Sequence, residues 1–343
     1  MDARRDCVRV LIVDDSPTVR ELMLRLLAEE AGIQVVGEAA NGEEGVREAL
    51  RLRPDLIIMD IQMPVMNGLE AIEAIMQQNP TPILVVTSYG AARLAYEAVS
   101  RGALEVIDKP SIDLAHCRQF VKKIKLLAGV RVIRHINGHK PVRPQIGLAG
   151  EAAHSRTQAV AIASSLGGAT VLETILSRLP GDFPVPIVVA QHISAGFAGA
   201  LAEWLGHKTP LEVRVAAQAE RLTPGRVLIA PPEYNMQVDA SGKVELSPAP
   251  PGHIYHPSCD KLLTSVAHAY RERSIGIILT GMGQDGVNGI EAIKAAGGIT
   301  IAQNKQTSLI YNMPRLVIER GLADFIVAAG DIPATLAKVV AGC

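Results

Sequence analysis

The sequence predicts an α/β protein made of two domains joined by a linker. The chain has 343 residues, of which 48% are apolar and only 3% are aromatic. Short aliphatic runs alternate with amphipathic segments in two series, separated by an irregular stretch. One domain usually has about 100–150 residues, and aliphatic cores are typical of parallel sheets covered by helices, so we expect two α/β domains.

The first domain is predicted at residues 1–128 as five βα units. Its strand-like runs are VRVLIVDD, VVGEA, DLIIMD, PILVVTS and LEVIDK, and each precedes an amphipathic segment. Ser16 followed by Pro17 is typical of the start of a helix. Because right-handed crossovers give parallel strands one orientation, the residues that follow the five strands are expected at one edge of the sheet.

Residues 129–157 lack this periodicity and are rich in Gly, Pro, Arg and His, which predicts an interdomain linker. Its basic residues can bind an acidic surface or simply remain solvated, so they predict no function: Arg131, Arg134, Lys140 and Arg143. The alternation resumes in residues 158–343. There we predict a doubly wound, mostly parallel sheet with a small β-hairpin insertion around residues 240–242.

Charge and cysteine content exclude several classes of protein. The formal net charge of -1 gives no general attraction to nucleic acid or anionic lipid, so neither partner is expected. The N-terminus lacks the apolar core of a signal peptide, and no uncharged apolar run is long enough to cross a bilayer. We therefore expect a cytoplasmic protein without membrane insertion. Its cysteines lack metal-ligand spacing and are expected to be reduced thiols: Cys7, Cys117, Cys259 and Cys343.

Residues suited to phosphoryl transfer follow the strands of the first domain. Asp14 and Asp15 follow the first, Asp60 the third, Thr87 ends the fourth and Lys109 follows the fifth. Three carboxylates brought together would repel one another, so we expect them to bind Mg²⁺. Asp60 would then attack phosphorus, while Lys109 and Thr87 contact the phosphoryl oxygens. The alternative is that these aspartates only cap helices, but the complete set favours phosphoryl transfer.

The first 125 or so residues resemble response-regulator receiver domains. The resemblance lies in LIVDD, in MDIQMPVMNG around Asp60, in TS at Thr87 and in DKP at Lys109. It implies phosphorylation at Asp60. The sequence departs from many receivers at Val106, where an aromatic residue usually stands three positions before the lysine. A switch based on an aromatic rotamer is therefore not expected at that position.

Three residues of the second domain predict a catalytic triad. Ser165 follows the first strand within Ala163–Gly167, which has the spacing of a nucleophile elbow with Ala in place of its first Gly. His192 follows the next strand, in PIVVAQH, and Asp285 lies in the loop after a later one, in SIGIILTGMGQDG. Together they can form a proton-transfer triad. Taken singly, the serine could start a phosphate-binding helix and the histidine could be structural.

The combination of domains resembles the CheB family of chemotaxis protein-glutamate methylesterases. The resemblance lies in LTGMGQDGVNGIEAIKAAGG, AQNKQTS, MPRLVIERG, QHISAGFAGALAEWL and HPSCDKLL. It implies that Ser165 is the nucleophile, His192 the general base and Asp285 the orienting acid, with no cofactor for the esterase. Backbone N–H groups of Leu166 and Met282 are expected to stabilise the oxyanion.

The resemblance also implies substrates, partners and regulation. The substrates would be methyl-accepting chemotaxis receptors, and glutamine deamidation is an expected second activity. A CheA-type histidine kinase would be the phosphodonor. In this family the unphosphorylated receiver covers the catalytic edge, and phosphorylation relieves that block.

The sequence departs from the family pattern near the expected site. Ala163 and Leu166 replace the first glycine and the threonine of G-A-S-T-G-G. After the histidine the chain has ISAGF in place of M-P-P-G-F. Asn235 replaces a usual histidine, and His256 replaces the arginine before P-S-x-D. We expect these changes to shape the substrate groove more than the reaction. A receiver-controlled esterase or amidase for another protein, or a non-enzymatic phosphate sink, remain the alternatives.

Overall fold

The computed structural model describes residues 7–88, 92–109, 114–130, 132, 158–248 and 256–342. They belong to two compact units that separate between Lys140 and Pro141. The separation falls inside the segment predicted as a linker. Most of that segment, including its four basic residues, lies outside the described residues, as does Cys343.

The first unit alternates strands and helices in the predicted order. Its strands are β1 Val8–Val13, β2 Ile33–Ala39, β3 Leu56–Met59, β4 Ile83–Thr87 and β5 Glu105–Asp108. Its helices are α1 Pro17–Ala28, α2 Gly42–Leu52, α3 Gly68–Gln78, α4 Ala92–Ser100 and α5 Leu114–Leu127. The sheet has the order β2-β1-β3-β4-β5, and every neighbouring pair is parallel. This arrangement confirms the predicted (βα)5 domain.

Local sequence sets the starts of two helices that flank the acidic strand ends. The Ser16 hydroxyl accepts a hydrogen bond from the N–H of Val19, so Ser16 caps α1 as predicted. Asn67 and Glu70 form a reciprocal capping box at the start of α3. A Cβ atom on Gly68 would lie 2.0 Å from the carbonyl oxygen of Asp60, so only glycine lets α3 begin against this loop.

The second unit is built around a seven-stranded sheet. Its strands are β6 Ala159–Ser164, β7 Ile187–Gln191, β8 Glu212–Val215, β9 Arg226–Ile229, β12 Ser274–Ile278, β13 Ile299–Gln303 and β14 Phe325–Val327. The order is β14-β13-β12-β6-β7-β9-β8, with parallel neighbours throughout. A separate antiparallel hairpin joins β10 Tyr234–Val238 to β11 Val244–Pro248. The predicted α/β sheet with a hairpin insertion is confirmed.

Helices complete this second unit. They are α6 Gly168–Leu176, α7 Ala198–Lys208, α8 Cys259–Tyr270, α9 Val287–Ala295, α10 Met313–Glu319 and α11 Ile332–Ala341. Ala159, Ala161 and Ala163 of β6 contribute to a core that also contains the buried residues of α8, α9 and the hairpin. Small side chains on β6 let α8 approach the sheet closely. The described part of the chain contains no helix that is long and apolar enough to cross a bilayer.

Candidate active site

The acidic residues of the first unit meet at the edge where the strand order reverses. Oxygen atoms of Asp14, Asp15 and Asp60 lie within 4.8 Å of one another. The Lys109 Nζ lies 2.8 Å from Oδ2 of Asp14 and 2.8 Å from Oδ2 of Asp60. Asp14 and Asp60 are buried, whereas Asp15 is exposed. β1 and β3 flank the topological switch point, which is the usual ligand site of such sheets.

Electrostatics at this cluster favour a bound cation. Burial raises the pKa of Asp14, although the hydrogen bond and charge of Lys109 oppose the rise. Burial alone would lower the pKa of Lys109, but its contacts with Asp14 and Asp60 raise it. One ammonium group therefore contacts two of the three clustered carboxylates. Carboxylate oxygens at this spacing fit a hard divalent cation such as Mg²⁺.

Two other residues bear on the phosphoryl site. Thr87 ends β4 and is fully buried, and its hydroxyl has no hydrogen-bond partner among the described residues. That hydroxyl can donate to an oxygen atom brought in by a ligand. Val106 lies in β5, is buried and pairs with Val85 of β4.

The carboxyl ends of three adjacent strands bring the residues of the predicted triad to one edge. Ser164 is the register partner of Gln191, so Ser165 and His192 follow at corresponding positions on β6 and β7. β12 lies on the other side of β6, and the loop after it carries Asp285. Ser165 is 8% exposed and Asp285 7% exposed. The site is therefore largely shielded from solvent.

The turn at Ser165 differs from the predicted elbow. In an α/β-hydrolase elbow the nucleophile itself sits in the strained conformation. Here Gly167 has the left-handed backbone, with φ +76, and Ser165 is not among the described non-glycine residues with positive φ. Hydrogen bonds hold Ser165 instead: its N–H donates to the Thr280 carbonyl at 3.1 Å, and its carbonyl accepts from Gln191 Nε2 at 2.7 Å.

His192 and Asp285 of the predicted triad are within hydrogen-bond distance of each other. The distance from His192 Nε2 to Asp285 Oδ2 is 2.8 Å, and the His192 side chain is 10% exposed. When the carboxylate accepts from Nε2–H, the lone pair of the neutral ring is on Nδ1. Nδ1 is then the ring atom that can accept a proton.

The N-terminus of α8 fixes the Asp285 carboxylate. Oδ2 accepts from the N–H of Cys259 at 2.7 Å, and Oδ1 accepts from the N–H of Asp260 at 2.9 Å and from the Ser258 hydroxyl at 3.2 Å. Burial alone would raise the pKa of Asp285, but His192 and these N–H donors outweigh burial and lower it. Asp285 therefore remains an anion beside the imidazole.

Asp260 has a role that mirrors that of Asp285 and that the sequence does not predict. The Oδ1 atom of Asp260 accepts from the N–H groups of Gly286 and Gly289, both at 2.8 Å, at the start of α9. Asp285 caps α8 while Asp260 caps α9, so the two loops hold each other in place. The Ser258–Asp260 sequence signals a helix start, but no local pattern indicates that its acid serves a second helix.

The expected oxyanion donors border Ser165. Within the described residues, no carbonyl or side-chain oxygen accepts from the N–H of Leu166 or of Met282. A Cβ atom on Gly281 would lie 2.7 Å from the Ser165 Cβ, so only glycine allows the Met282 loop to approach the serine. The Asn312 amide donates to the Gly283 carbonyl at 2.9 Å and anchors that loop.

Three of the positions that depart from the family pattern are buried, whereas His256 and the residues directly after His192 are partly or fully exposed. Ala163 is fully buried in β6, and Leu166 is 2% exposed. Asn235 is 2% exposed, and its side-chain oxygen accepts from the N–H of Ser258 at 3.0 Å. The His256 carbonyl accepts from the N–H of Ile193 at 3.3 Å. Asn235 thus supports the start of α8, which in turn holds Asp285.

Two family models match the chain. The CheB methylesterase model covers residues 160–336, and the response regulator receiver domain model covers residues 10–122. A protein-glutamate methylesterase/protein-glutamine glutaminase of Anaeromyxobacter dehalogenans is 42% identical over 97% of both chains. The chain belongs to the CheB methylesterase family. The resemblance inferred from the sequence is confirmed.

Further CheB relatives agree over nearly the full length. A protein-glutamate methylesterase/protein-glutamine glutaminase of Paramagnetospirillum magneticum is 41% identical over 98% of this chain and 97% of its own. The crystal structure of the Thermotoga maritima CheB methylesterase catalytic domain is 39% identical. It covers 54% of this chain and 99% of its own, with a TM-score of 0.52.

Proposed function

We propose that this protein is a phosphorylation-controlled serine hydrolase that demethylates glutamyl methyl esters on methyl-accepting chemotaxis receptors. The observation that carries the proposal is the 2.8 Å contact between His192 and Asp285 at the strand end beside Ser165. Relatives named protein-glutamate methylesterase/protein-glutamine glutaminase supply the substrate class. The ester hydrolysis needs no cofactor in this proposal.

Acylation would begin at Ser165. Its Oγ attacks the ester carbonyl carbon while His192 Nδ1 takes the hydroxyl proton, and Asp285 stabilises the resulting imidazolium. The N–H groups of Leu166 and Met282 would donate to the oxyanion, and each such donor typically lowers the barrier by about 3 kcal/mol. The C–O bond to methoxide then breaks, and His192 returns the proton to release methanol.

Deacylation would use the same groups. A water oxygen attacks the acyl carbon while His192 takes a proton from that water. His192 then gives the proton to the departing Ser165 oxygen. The product is a glutamate side chain. A primary amide follows the same course with ammonia as the leaving group, which accounts for the second activity, deamidation of receptor glutamines.

Control would come from the receiver. A CheA-type histidine kinase is the proposed phosphodonor and Asp60 the acceptor. Asp14, Asp15 and Asp60 would hold Mg²⁺, which neutralises phosphoryl oxygens when bound. Lys109 and Thr87 would contact the phosphoryl group; the position of Lys109 Nζ, 2.8 Å from Asp60 Oδ2, supports this assignment.

We further propose that the protein works in the cytoplasm. The described cysteines, Cys7, Cys117 and Cys259, are free thiols. Free thiols are typical of reducing compartments.

Methanol release from methylated receptor membranes tests the reaction. Replacing Ser165 with Ala should lower turnover by about a millionfold, the effect of removing a triad serine. Near-normal methanol release by this folded variant would contradict the proposed nucleophile.

The altered positions near the site favour one alternative substrate. ISAGF after His192, Asn235 and His256 depart from the family pattern. A receiver-controlled esterase or amidase for a protein other than a receptor would cleave a generic ester but no receptor of the same cell. A panel of methylated receptors therefore distinguishes the two substrates.

A further inference from the structure

A thiol lies against the imidazole of the proposed triad. The Cys259 Sγ is 3.4 Å from Nε2 of His192, the same nitrogen that contacts Asp285. The thiol is fully buried, and its Sγ also lies 3.4 Å from the Ala190 carbonyl oxygen. One nitrogen, one sulfur and one oxygen donor therefore lie within 4.8 Å of one another. The thiol takes no part in the proposed hydrolysis.

This donor set suits zinc. Imidazole, thiolate and carboxylate are the three side-chain ligands that Zn²⁺ uses in proteins. Typical bond lengths at a tetrahedral angle place a sulfur and a nitrogen ligand about 3.6 Å apart. The Cys259 Sγ and His192 Nε2 atoms are already 3.4 Å apart. The 2.8 Å between His192 Nε2 and Asp285 Oδ2 would have to widen by about half an ångström.

Neighbouring groups would keep two of the ligands in place. The Ser258 hydroxyl and the Asp260 N–H hold Oδ1 of Asp285, so the carboxylate stays oriented when His192 no longer donates to Oδ2. Cys259 is the first residue of α8 and is fixed by the helix. Hydrogen bonds of this kind orient metal ligands and raise affinity.

Burial raises the pKa of the Cys259 thiol well above its ordinary value, so a bound cation must displace its proton. That requirement favours thiophilic cations over Mg²⁺ or Ca²⁺.

We propose that His192, Cys259 and Asp285 form an inhibitory site for Zn²⁺ or a similarly thiophilic divalent cation. Binding releases the thiol proton to solvent and forms bonds from the metal to sulfur, to Nε2 and to a carboxylate oxygen. The proton that Nε2 carried moves to Nδ1, since a neutral imidazole holds only one. Nδ1 then has no lone pair to accept a proton from Ser165. The inhibition rests on the proposed hydrolase function, whereas the binding does not.

Cobalt spectroscopy tests the binding without any substrate. Co²⁺ substitutes for Zn²⁺, and thiolate ligation gives a near-ultraviolet charge-transfer band. The full-length chain is titrated with Co²⁺ in excess Mg²⁺, which occupies the receiver carboxylates. We expect the band in the unmodified protein and in the matched control Cys117→Ala, and its loss in Cys259→Ala. An unchanged band in Cys259→Ala would overturn the proposal.

Inhibition by Zn²⁺ supplies the second readout. Hydrolysis is measured with increasing Zn²⁺ and expressed relative to the metal-free activity of the same variant. Removing a group that only supports a zinc ligand lowers zinc affinity about 10- to 100-fold. Cys259→Ala removes a proposed ligand itself, so half inhibition should require at least about tenfold more Zn²⁺. Equal sensitivity of Cys259→Ala and the unmodified protein would refute inhibition at this site. If no ester is cleaved at all, the hydrolase proposal fails and the cobalt band alone decides the binding.

Discussion

Replacing Asp285 with Asn should separate catalysis from folding at the proposed triad. The change keeps the shape of the side chain but puts an amide where a carboxylate faces His192 and two N–H groups of α8. An amide NH₂ group cannot accept from Nε2–H, so the ring loses both its fixed tautomer and the anion that stabilises its charged form. In a serine protease the equivalent change lowers turnover about 10⁴-fold. At about 1.36 kcal/mol per tenfold change, this corresponds to roughly 5.4 kcal/mol of barrier.

The assay for Asp285→Asn combines methanol release with chemical unfolding. The amide also leaves a buried donor facing the donors of α8, which should lower the free energy of unfolding by about 1–3 kcal/mol. The lowered pKa of Asp285 means that its ionic stabilisation is present above the unfolded pKa, about 4, and is lost as pH falls through the folded pKa. The stability difference between variant and unmodified protein should therefore shrink at acidic pH.

Asp324→Asn is the matched control. Asp324 lies in the same domain and accepts from the backbone N–H of Thr300 at 2.9 Å, but it contacts no residue of the proposed triad. It should lose stability while its turnover stays within about twofold. If folded Asp285→Asn retained more than a tenth of the turnover, the carboxylate would not be the orienting acid and the assignment would be refuted.

Three further changes probe the backbone around the two sites. Asn312→Ala should lower kcat about tenfold, because the loop that bears Met282 loses its anchor, with little change in KM; an unchanged kcat would contradict this. Gly168→Ala should destabilise the protein by about 1–3 kcal/mol, since its Cβ would lie 2.1 Å from Gln191 Oε1; a thermal melt checks it. Val65 is 79% exposed with φ +69, so Val65→Gly should relieve about 1 kcal/mol of backbone strain, and a lower free energy of unfolding would argue against that strain.

The sequence alone was sufficient to predict which residues lie together at the ends of the strands. Hydrophobic runs mark parallel strands, and parallel strands place their carboxyl ends at one edge. That rule alone placed Asp14 with Asp60, and Ser165 with His192 and Asp285, on common edges, which the strand order bears out. The roles of these residues in catalysis remain predictions.

Side-chain geometry across long sequence separations could not be predicted. The approach of Cys259 to His192 joins residues 67 positions apart and depends on how closely α8 packs on β6. The exchange of caps between Asp260 and Asp285 likewise arises only when two loops meet. At the turn after β6, the spacing of small residues predicted a nucleophile elbow around Ser165, but the left-handed conformation falls on Gly167, where it is easily accommodated.

The most direct test of the central claim measures methanol release with and without acetyl phosphate and Mg²⁺. We expect this phosphodonor to stimulate the unmodified protein. Asp60→Asn should retain the basal rate without stimulation, and Ser165→Ala should be inactive in both conditions. Equal stimulation of Asp60→Asn and the unmodified protein would contradict control through Asp60.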